Sequence, residues 1–388
     1  MFQEQVLLRI PGPTPLPPQV ERAMNRPITG HRSGEFSRLF AETAERLKLV
    51  FQTQQDVLIL AGSGTAGLEA AVCNVVSPGD KVLVLCGGNF GERFVKICKA
   101  YGANVLEVEA SWGDPIDPEL VAATLAEHPD VKAVFATHCE TSTGVLHPIR
   151  EIARRVQATA ALLIVDAVSS LGAVDLPMDD WGLDIVVTGS QKALMLPPGL
   201  TFLALSERAW DVVANNRTPR FYFDLRAYKK QLQARTTPYT PAVSLLYGLD
   251  EVLKLIEAEG LPRIFDRHLL LQKMTRRAVQ ALELPLFTTD EAASPTVTSV
   301  GVCDFDVEKL RQALRTAFNL SVAGGQQHLK GQIFRIGHMG YCSPADVLQT
   351  IALLEVGLFQ AGAPVALGRG VRAAQEVYLT HKEAVTHG

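Results

Sequence analysis

The chain lacks the close cysteine pairs that iron–sulfur clusters and structural zinc sites need. Its six cysteines, Cys73, Cys86, Cys98, Cys139, Cys303 and Cys342, include no Cys-x-x-Cys pair. No apolar run approaches the roughly 18 residues of a membrane-spanning helix; the stretch around 160–165 is only of strand length. The first ten residues hold Glu4 and Arg9 and have no signal-peptide apolar region, and Thr386-His387-Gly388 carries no lipidation or retention signal. The expectation is a cytoplasmic protein. An excess of one charge is missing too: 37 Lys and Arg stand against 41 Asp and Glu. That balance argues against a nucleic-acid binder and against a polybasic membrane surface. There is no internal repeat and no low-complexity block. With 47% hydrophobic residues and a net charge of −4, disorder is excluded as a general description.

What is present is length and a regular pattern. At about 150 residues per domain, 388 residues suggest two domains. A chain this long buries about three-quarters of its unfolded surface, so it folds without disulfides or metal. Five prolines, Pro11, Pro13, Pro15, Pro17 and Pro18, predict an extended arm over residues 1–18. Short apolar runs at 57–60, 81–86, 104–109, 133–137, 161–165, 184–188 and 200–205 then alternate with helical patterns at 66–76, 92–101, 118–127 and 148–156. Non-alternating strands separated by helices predict an α/β fold, a mostly parallel seven-stranded sheet covered on both faces. A long helix over 241–257 leads out of this large domain, which spans 19–260. From 261 to 388 the pattern changes to a smaller α+β domain, with strands near 296–302 and 333–336 and a last helix near 371–378.

Ligands collect beyond the carboxyl ends of parallel strands, so the polar residues that end the runs deserve the closest reading. The first run ends in Gly62-Ser63-Gly64-Thr65, where a helix starts; glycines, hydroxyls and free N–H groups suit a phosphate. It is no Walker loop, because no Lys-Ser/Thr follows. The run at 161–165 ends in Asp166, and the run at 184–188 ends in Gly189-Ser190-Gln191-Lys192. Taken singly, Asp166 reads as a turn or capping residue and Lys192 as a snorkelling side chain. Together, a phosphate cradle, a carboxylate and an amine 26 residues apart are what pyridoxal 5′-phosphate requires. The phosphate anchors it, the carboxylate pairs with its ring nitrogen, and the lysine forms the Schiff base. Phe90 lies where it could stack on the ring, and Thr137, His138 and Thr141 where they could meet its edge.

At these residues the chain resembles the class V aminotransferases of fold type I. Within them it is similar to alanine–glyoxylate and serine–glyoxylate aminotransferases, and to cyanobacterial proteins labelled soluble hydrogenase small subunit. The resemblance runs through Pro11-Gly12-Pro13-Thr14-Pro15, Gly30-His31-Arg32-Ser33-Gly34 and Glu140-Thr141-Ser142-Thr143-Gly144. It continues through Val165-Asp166-Ala167-Val168, Ser190-Gln191-Lys192 with Pro197-Pro198-Gly199, Thr237-Pro238-Tyr239-Thr240, and Phe334-Arg335-Ile336-Gly337-His338. It implies Lys192 and Asp166 as the catalytic pair. Ser63, Gly64, Thr65, Phe90, Thr141 and Gln191 are implied as cofactor contacts, with Thr240 donated by the second subunit of a homodimer. It further implies Arg335 on the substrate α-carboxylate, Gly12 where the arm closes over the substrate, and His31 and Arg32 near the entrance. The human-type enzyme carries tryptophan, histidine and tyrosine where this chain has Phe90, Thr65 and Thr237.

The implied reaction moves the amino group of a small amino acid to glyoxylate by ping-pong exchange, giving glycine and an oxoacid. Donors with aspartate, ureidoglycine or phosphonate groups occur on related scaffolds. The sequence has no evident added basic cluster for a phosphonate, which leaves alanine and serine ahead. Three other readings remain, one of them a cofactor-binding protein without turnover. A cysteine desulfurase on the same fold needs a thiolate on a mobile loop; Cys303 and Cys342 are the late candidates, and neither sits in a Gly/Ser-rich stretch. A non-catalytic hydrogenase-associated subunit would not need Lys192, Asp166 and the phosphate loop together.

Overall fold

The fold is described here from a computed structural model covering residues 6–387, with side chains as far as 382. The first five residues of the expected arm, Glu4 among them, and Gly388 lie outside the described residues. The chain opens with β1 (Leu7–Arg9) and α1 (Pro18–Met24), where Pro18 takes a first-turn position that needs no N–H. Next comes α2 (Gly34–Phe51), begun at Ser33, whose hydroxyl accepts from the Phe36 N–H at 3.2 Å. Strands and helices then alternate as β2 (Val57–Gly62), α3 (Gly64–Val75), β3 (Lys81–Cys86), α4 (Asn89–Ala100), β4 (Asn104–Glu109), α5 (Pro118–Glu127) and β5 (Ala133–Thr137). A two-residue hairpin, β6 (Cys139–Glu140) with β7 (Val145–Leu146), precedes α6 (Ile149–Val156), β8 (Leu162–Asp166), β9 (Ile185–Gly189) and β10 (Gly199–Leu205). Four helices follow: α7 (Glu207–Asn215), α8 (Leu225–Gln233), α9 (Val243–Glu259) and α10 (Leu261–Ala281). The chain ends with β11 (Val297–Val300), α11 (Val307–Phe318), β12 (Leu320–Gly324), β13 (Phe334–Gly337), α12 (Pro344–Gln360) and α13 (Arg369–His387).

The large sheet has the seven strands expected, in the order β2-β10-β9-β8-β5-β3-β4. Alternate residues of each strand enter one of two cores. Val57 and Ile59 pack with Phe36, Phe40, Leu47 and Ile152 from α2 and α6. Leu58 and Leu60 pack with Leu68, Phe94 and Trp210 from α3, α4 and α7. Burial on both faces is why the runs read as continuous rather than alternating. One strand departs from the parallel pattern: β10 is antiparallel to both β2 and β9. Its connection from β9 spans only residues 190–198, too short for the crossover a parallel neighbour needs. That tight return carries Lys192.

The second sheet runs β1-β12-β13-β11 and packs against α10, α11 and α12 through Leu271, Leu310, Leu314, Phe334 and Ile351. Two of its strands escape the sequence pattern. β12 has only five residues, and β1 only three. β1 pairs in parallel with β12, Leu7 opposite Leu320 and Arg9 opposite Val322. The proline arm is therefore sewn into the second sheet rather than simply extended, and Arg9 adds an ion pair to Asp346 at the start of α12. The sequence pattern also passes over α1, α2, α7 and α8. Among the described residues no helix is long and apolar enough to cross a membrane.

Candidate active site

The carboxyl ends of β2, β8 and β9 meet at one cavity of about 220 Å³. From β2, Ser63 caps α3 in extended conformation without using its hydroxyl, and the Gly64 and Thr65 N–H groups precede the first bond of the helix, which Ala66 donates to the Ser63 carbonyl at 2.9 Å. Gly64 is required there: a Cβ would lie 2.8 Å from Val168 Cγ2. From β8, Asp166 is buried as the last residue of the strand and not, as the apolar run suggested, the one beyond it. Its Oδ1 accepts from the Val168 N–H at 2.9 Å. Burial pushes its pKa up to about 6, opposed by that N–H and by the charges of Arg93 and Lys192.

Lys192 sits in the β9–β10 return, held from both sides by the arm. Its Nζ donates to the Pro11 carbonyl, and Thr14 Oγ1 donates to the Lys192 carbonyl at 2.9 Å. Gly12, at φ +100°, lets the arm pass against the lysine stem; a Cβ there would lie 2.5 Å from Lys192 Cδ. Burial brings the amine down to about 8, with Cys139 and Asp166 opposing. Ser63, Gly64, Thr65, Phe90 and Gln191 line the same cavity, and Gln191 Oε1 is buried without a partner.

A second cavity of about 490 Å³ shares Gly12, Phe90 and Lys192 and reaches Thr141 in the β6–β7 turn and Arg335 on the second sheet. Arg335 is buried on β13 and locked by backbone oxygens. Its Nε and Nη2 donate to the Gly324 carbonyl at 2.9 and 2.7 Å, and Nη1 to the Thr141 carbonyl at 2.6 Å. Burial lowers its pKa to about 10, with Glu140 opposing. The guanidinium is thus fixed in plane beside the lysine, a geometry suited to a carboxylate.

Not every expected residue arrives. Thr240 is exposed and lines a separate pocket with Thr237, Tyr222 and Tyr239, away from Lys192 of its own chain. His138 does not meet either cavity. Its Nδ1 is 3.0 Å from Ser170 Oγ and its ring lies edge-on to Trp181, where burial takes its pKa to about 3. Thr137 is buried as well and lines neither cavity. Arg32 donates to Thr236 Oγ1 and the Thr237 carbonyl, and neither it nor His31 lines these cavities.

Other residues were not foreseen. Arg93, one helical turn after Phe90, stacks 4.6 Å over its ring and donates to Thr65 Oγ1 at 3.0 Å. That i, i+3 spacing at the start of α4 was the available signal. Arg311 and Lys330 line the second cavity, so basic groups are present where none was evident in the sequence. Glu308 pairs with Arg311 at 2.6 Å and offsets its charge. Cys139 is buried filler beside the site, bonded to Ser294 and Thr296 with its thiol pushed up to about 11.

In chemical terms the first cavity offers a helix N-terminus for a phosphate, a buried carboxylate for a cationic nitrogen and an amine near neutrality. The second offers a rigid guanidinium for a carboxylate. The aminotransferase class-V family model matches residues 7–345. A soluble hydrogenase small subunit of Synechococcus sp. (strain PCC 6716) is 46% identical over 383 residues, covering 98% of this chain and 100% of the relative. L-aspartate–glyoxylate aminotransferase of Paracoccus denitrificans is 39% identical, over 95% of each. Among solved structures, ureidoglycine–glyoxylate aminotransferase of Bacillus subtilis superposes with a TM-score of 0.93 at 34% identity, covering 97% of this chain and 99% of that one. The chain belongs to the class V aminotransferase family, with the fold type I architecture of pyridoxal-phosphate-dependent aminotransferases.

Proposed function

We propose that this class V aminotransferase moves the amino group of a small amino acid, alanine or serine, to glyoxylate, with pyridoxal 5′-phosphate as carrier. The observation that carries the reading is the convergence of Lys192, Asp166 and the α3 N-terminus on one cavity, with Arg335 in the next. The unpartnered Gln191 Oε1, the unused Ser63 hydroxyl and the single bond on Asp166 fit a bound group that this chain does not itself supply. Ser63, Gly64 and Thr65 would hold the phosphate, Asp166 the ring nitrogen, and Phe90 and Val168 the ring faces. When bound, the cofactor supplies an electron sink that accepts an amino group and passes it on.

The chain's own residues do the rest. Arg335 grips the substrate α-carboxylate with two parallel bonds and so fixes which face of the α-carbon meets Lys192. Lys192 Nζ, brought near neutrality by burial, carries the α-proton. Gly12 and Pro13 cover the amine and exclude water. Glu308 pairs with Arg311 and offsets its charge, while Lys330 lines the same cavity. Both family members quoted above with a named acceptor carry glyoxylate in that name, which supports the acceptor. Thr240, turned away from its own site, supports a homodimer in which it completes the partner's phosphate pocket.

The desulfurase reading loses its candidate thiols. Cys303 donates to the Gly301 carbonyl and burial pushes it up to about 11; Cys342 is buried and also held near 11. An absorbance titration tests the proposal. L-alanine or L-serine should bleach the visible band of the cofactor-loaded protein, and glyoxylate should restore it; L-aspartate should act more weakly. A band that answers to no donor would overturn the reading. Lys192→Ala should abolish turnover, and retained exchange would contradict the role of Lys192.

A further inference from the structure

Glu140 is fully buried and lines neither cavity, and its charge is near enough to Arg335 to oppose the lowering of that group's pKa. A buried carboxylate is expensive unless hydrogen bonds hold it, and this one accepts four. Oε2 takes the Phe90 and Gly91 N–H groups at 3.0 and 3.2 Å. Oε1 takes the Ser142 N–H at 3.1 Å and the Ser142 hydroxyl. Ser142 Oγ in turn accepts from the Asn89 N–H at 3.1 Å. The start of α4 has no capping side chain of its own, since Gly88 occupies that place, so Glu140 caps it from across the hairpin. Gly88 is small for the same reason: a Cβ there would lie 2.5 Å from Glu140 Cδ.

One side of this carboxylate therefore holds the helix that presents Phe90 and Arg93. The other side holds residues 140–142, and the carbonyl between them, that of Thr141, anchors Arg335 Nη1 at 2.6 Å. Among the described residues Arg335 has no side-chain acceptor, and its orientation rests on the Thr141 and Gly324 carbonyls. We propose that Glu140 is a positioning residue that sets the carboxylate grip of Arg335 by fixing the Thr141 carbonyl against the start of α4. The inference rests on the reading of Arg335 as the substrate-carboxylate group.

The test uses propionate, which offers a carboxylate without an amine, titrated calorimetrically into cofactor-loaded protein. Glu140→Gln keeps the side-chain volume but sets an amide N–H against the Ser142 N–H. Its propionate affinity should fall about tenfold, and KM for donor and for glyoxylate should rise by about as much with kcat changed less than about twofold. Ser142→Ala removes the hydroxyl's bond to Glu140 and its bond from the Asn89 N–H but keeps the Ser142 N–H bond, and should lose about threefold; if Glu140→Gln does not fold, this variant decides. Unchanged propionate affinity in a folded variant overturns the inference, as does a fall in kcat with KM unmoved, or wild-type protein that binds no propionate. Wild-type protein that binds propionate but exchanges no amino group would sink the aminotransferase reading and leave this inference standing.

Discussion

Lys192 and Asp166 are both driven towards their neutral forms by burial, in opposite senses. The amine falls to about 8 and the carboxyl rises to about 6. A cationic ring nitrogen beside Asp166 would reverse the second shift, because an opposite charge at contact favours the carboxylate. Asp166→Asn keeps the bond from the Val168 N–H and removes only the charge. It should lower kcat on the order of a hundredfold, measured by steady-state turnover, the range for losing one preorganised electrostatic partner. An unchanged kcat would mean that the charge is idle. The placement of Asp166 and Lys192 at one cavity was legible in the sequence because each lies at or just past the end of an apolar run, and a run's end marks the sheet edge. His138 was misread for a related reason. It lies just beyond the end of β5 and turns to Ser170 and Trp181, and nothing in the residue string says which way a residue past a strand end turns. Arg93 was missed because its place depends on how far α4 turns before it meets Thr65.

At the scale of elements, α3 is held where its first turn can face the cavity. Gly67 makes that possible: a Cβ there would lie 2.2 Å from Thr201 Oγ1 on β10 and 2.7 Å from Val187 Cγ1 on β9. The helix lies directly on the two strands whose return carries Lys192. Gly67→Ala gains helix propensity but must lift α3 off the sheet. We expect a net destabilisation of about 1–3 kcal/mol in urea unfolding, the usual result of overpacking a close contact. Affinity for pyridoxal phosphate should weaken with it, because the Gly64 and Thr65 N–H groups move as a unit. Equal stability and equal cofactor affinity would show that the sheet yields there. The sheet itself was largely readable from apolar runs. The reversal of β10 leaves no mark on the strand's composition; its one signal is the return over residues 190–198, too short for a parallel crossover. β1 was hidden by its brevity, and pairing with β12, 313 positions further along from Leu7 to Leu320, is a tertiary fact.

The whole molecule assembles its site from both sheets: Lys192 and Asp166 from the first, Arg335 from the second, Gly12 from the arm between them. The proposed homodimer extends this to a second copy. Thr240 is exposed beside Tyr222, with Phe221 80% exposed near them, an aromatic face of the kind an interface covers. Dilution should therefore lower specific activity as dimers part, and full activity of a monomer in sedimentation would contradict the cross-subunit role. Acid should weaken the molecule as a whole through its buried histidines. His138, His268 and His338 are taken by burial to about 3 and His147 to about 4. In the unfolded chain each titrates near 6.5. Their folded values are depressed, so their neutral burial contributes full stability above about pH 6.5. As pH falls below that, the unfolded chain binds protons the native one refuses. Each histidine then removes stability progressively, until the native rings titrate at about 3 to 4. Asp166 and Glu140, raised in the folded state, pull the other way over the carboxylate range, two groups against four. The urea midpoint should therefore drop clearly between pH 7.5 and pH 5.5. Equal midpoints would mean that these imidazoles meet water in solution, and that the packing of His138 against Trp181 and Ser170 is not maintained.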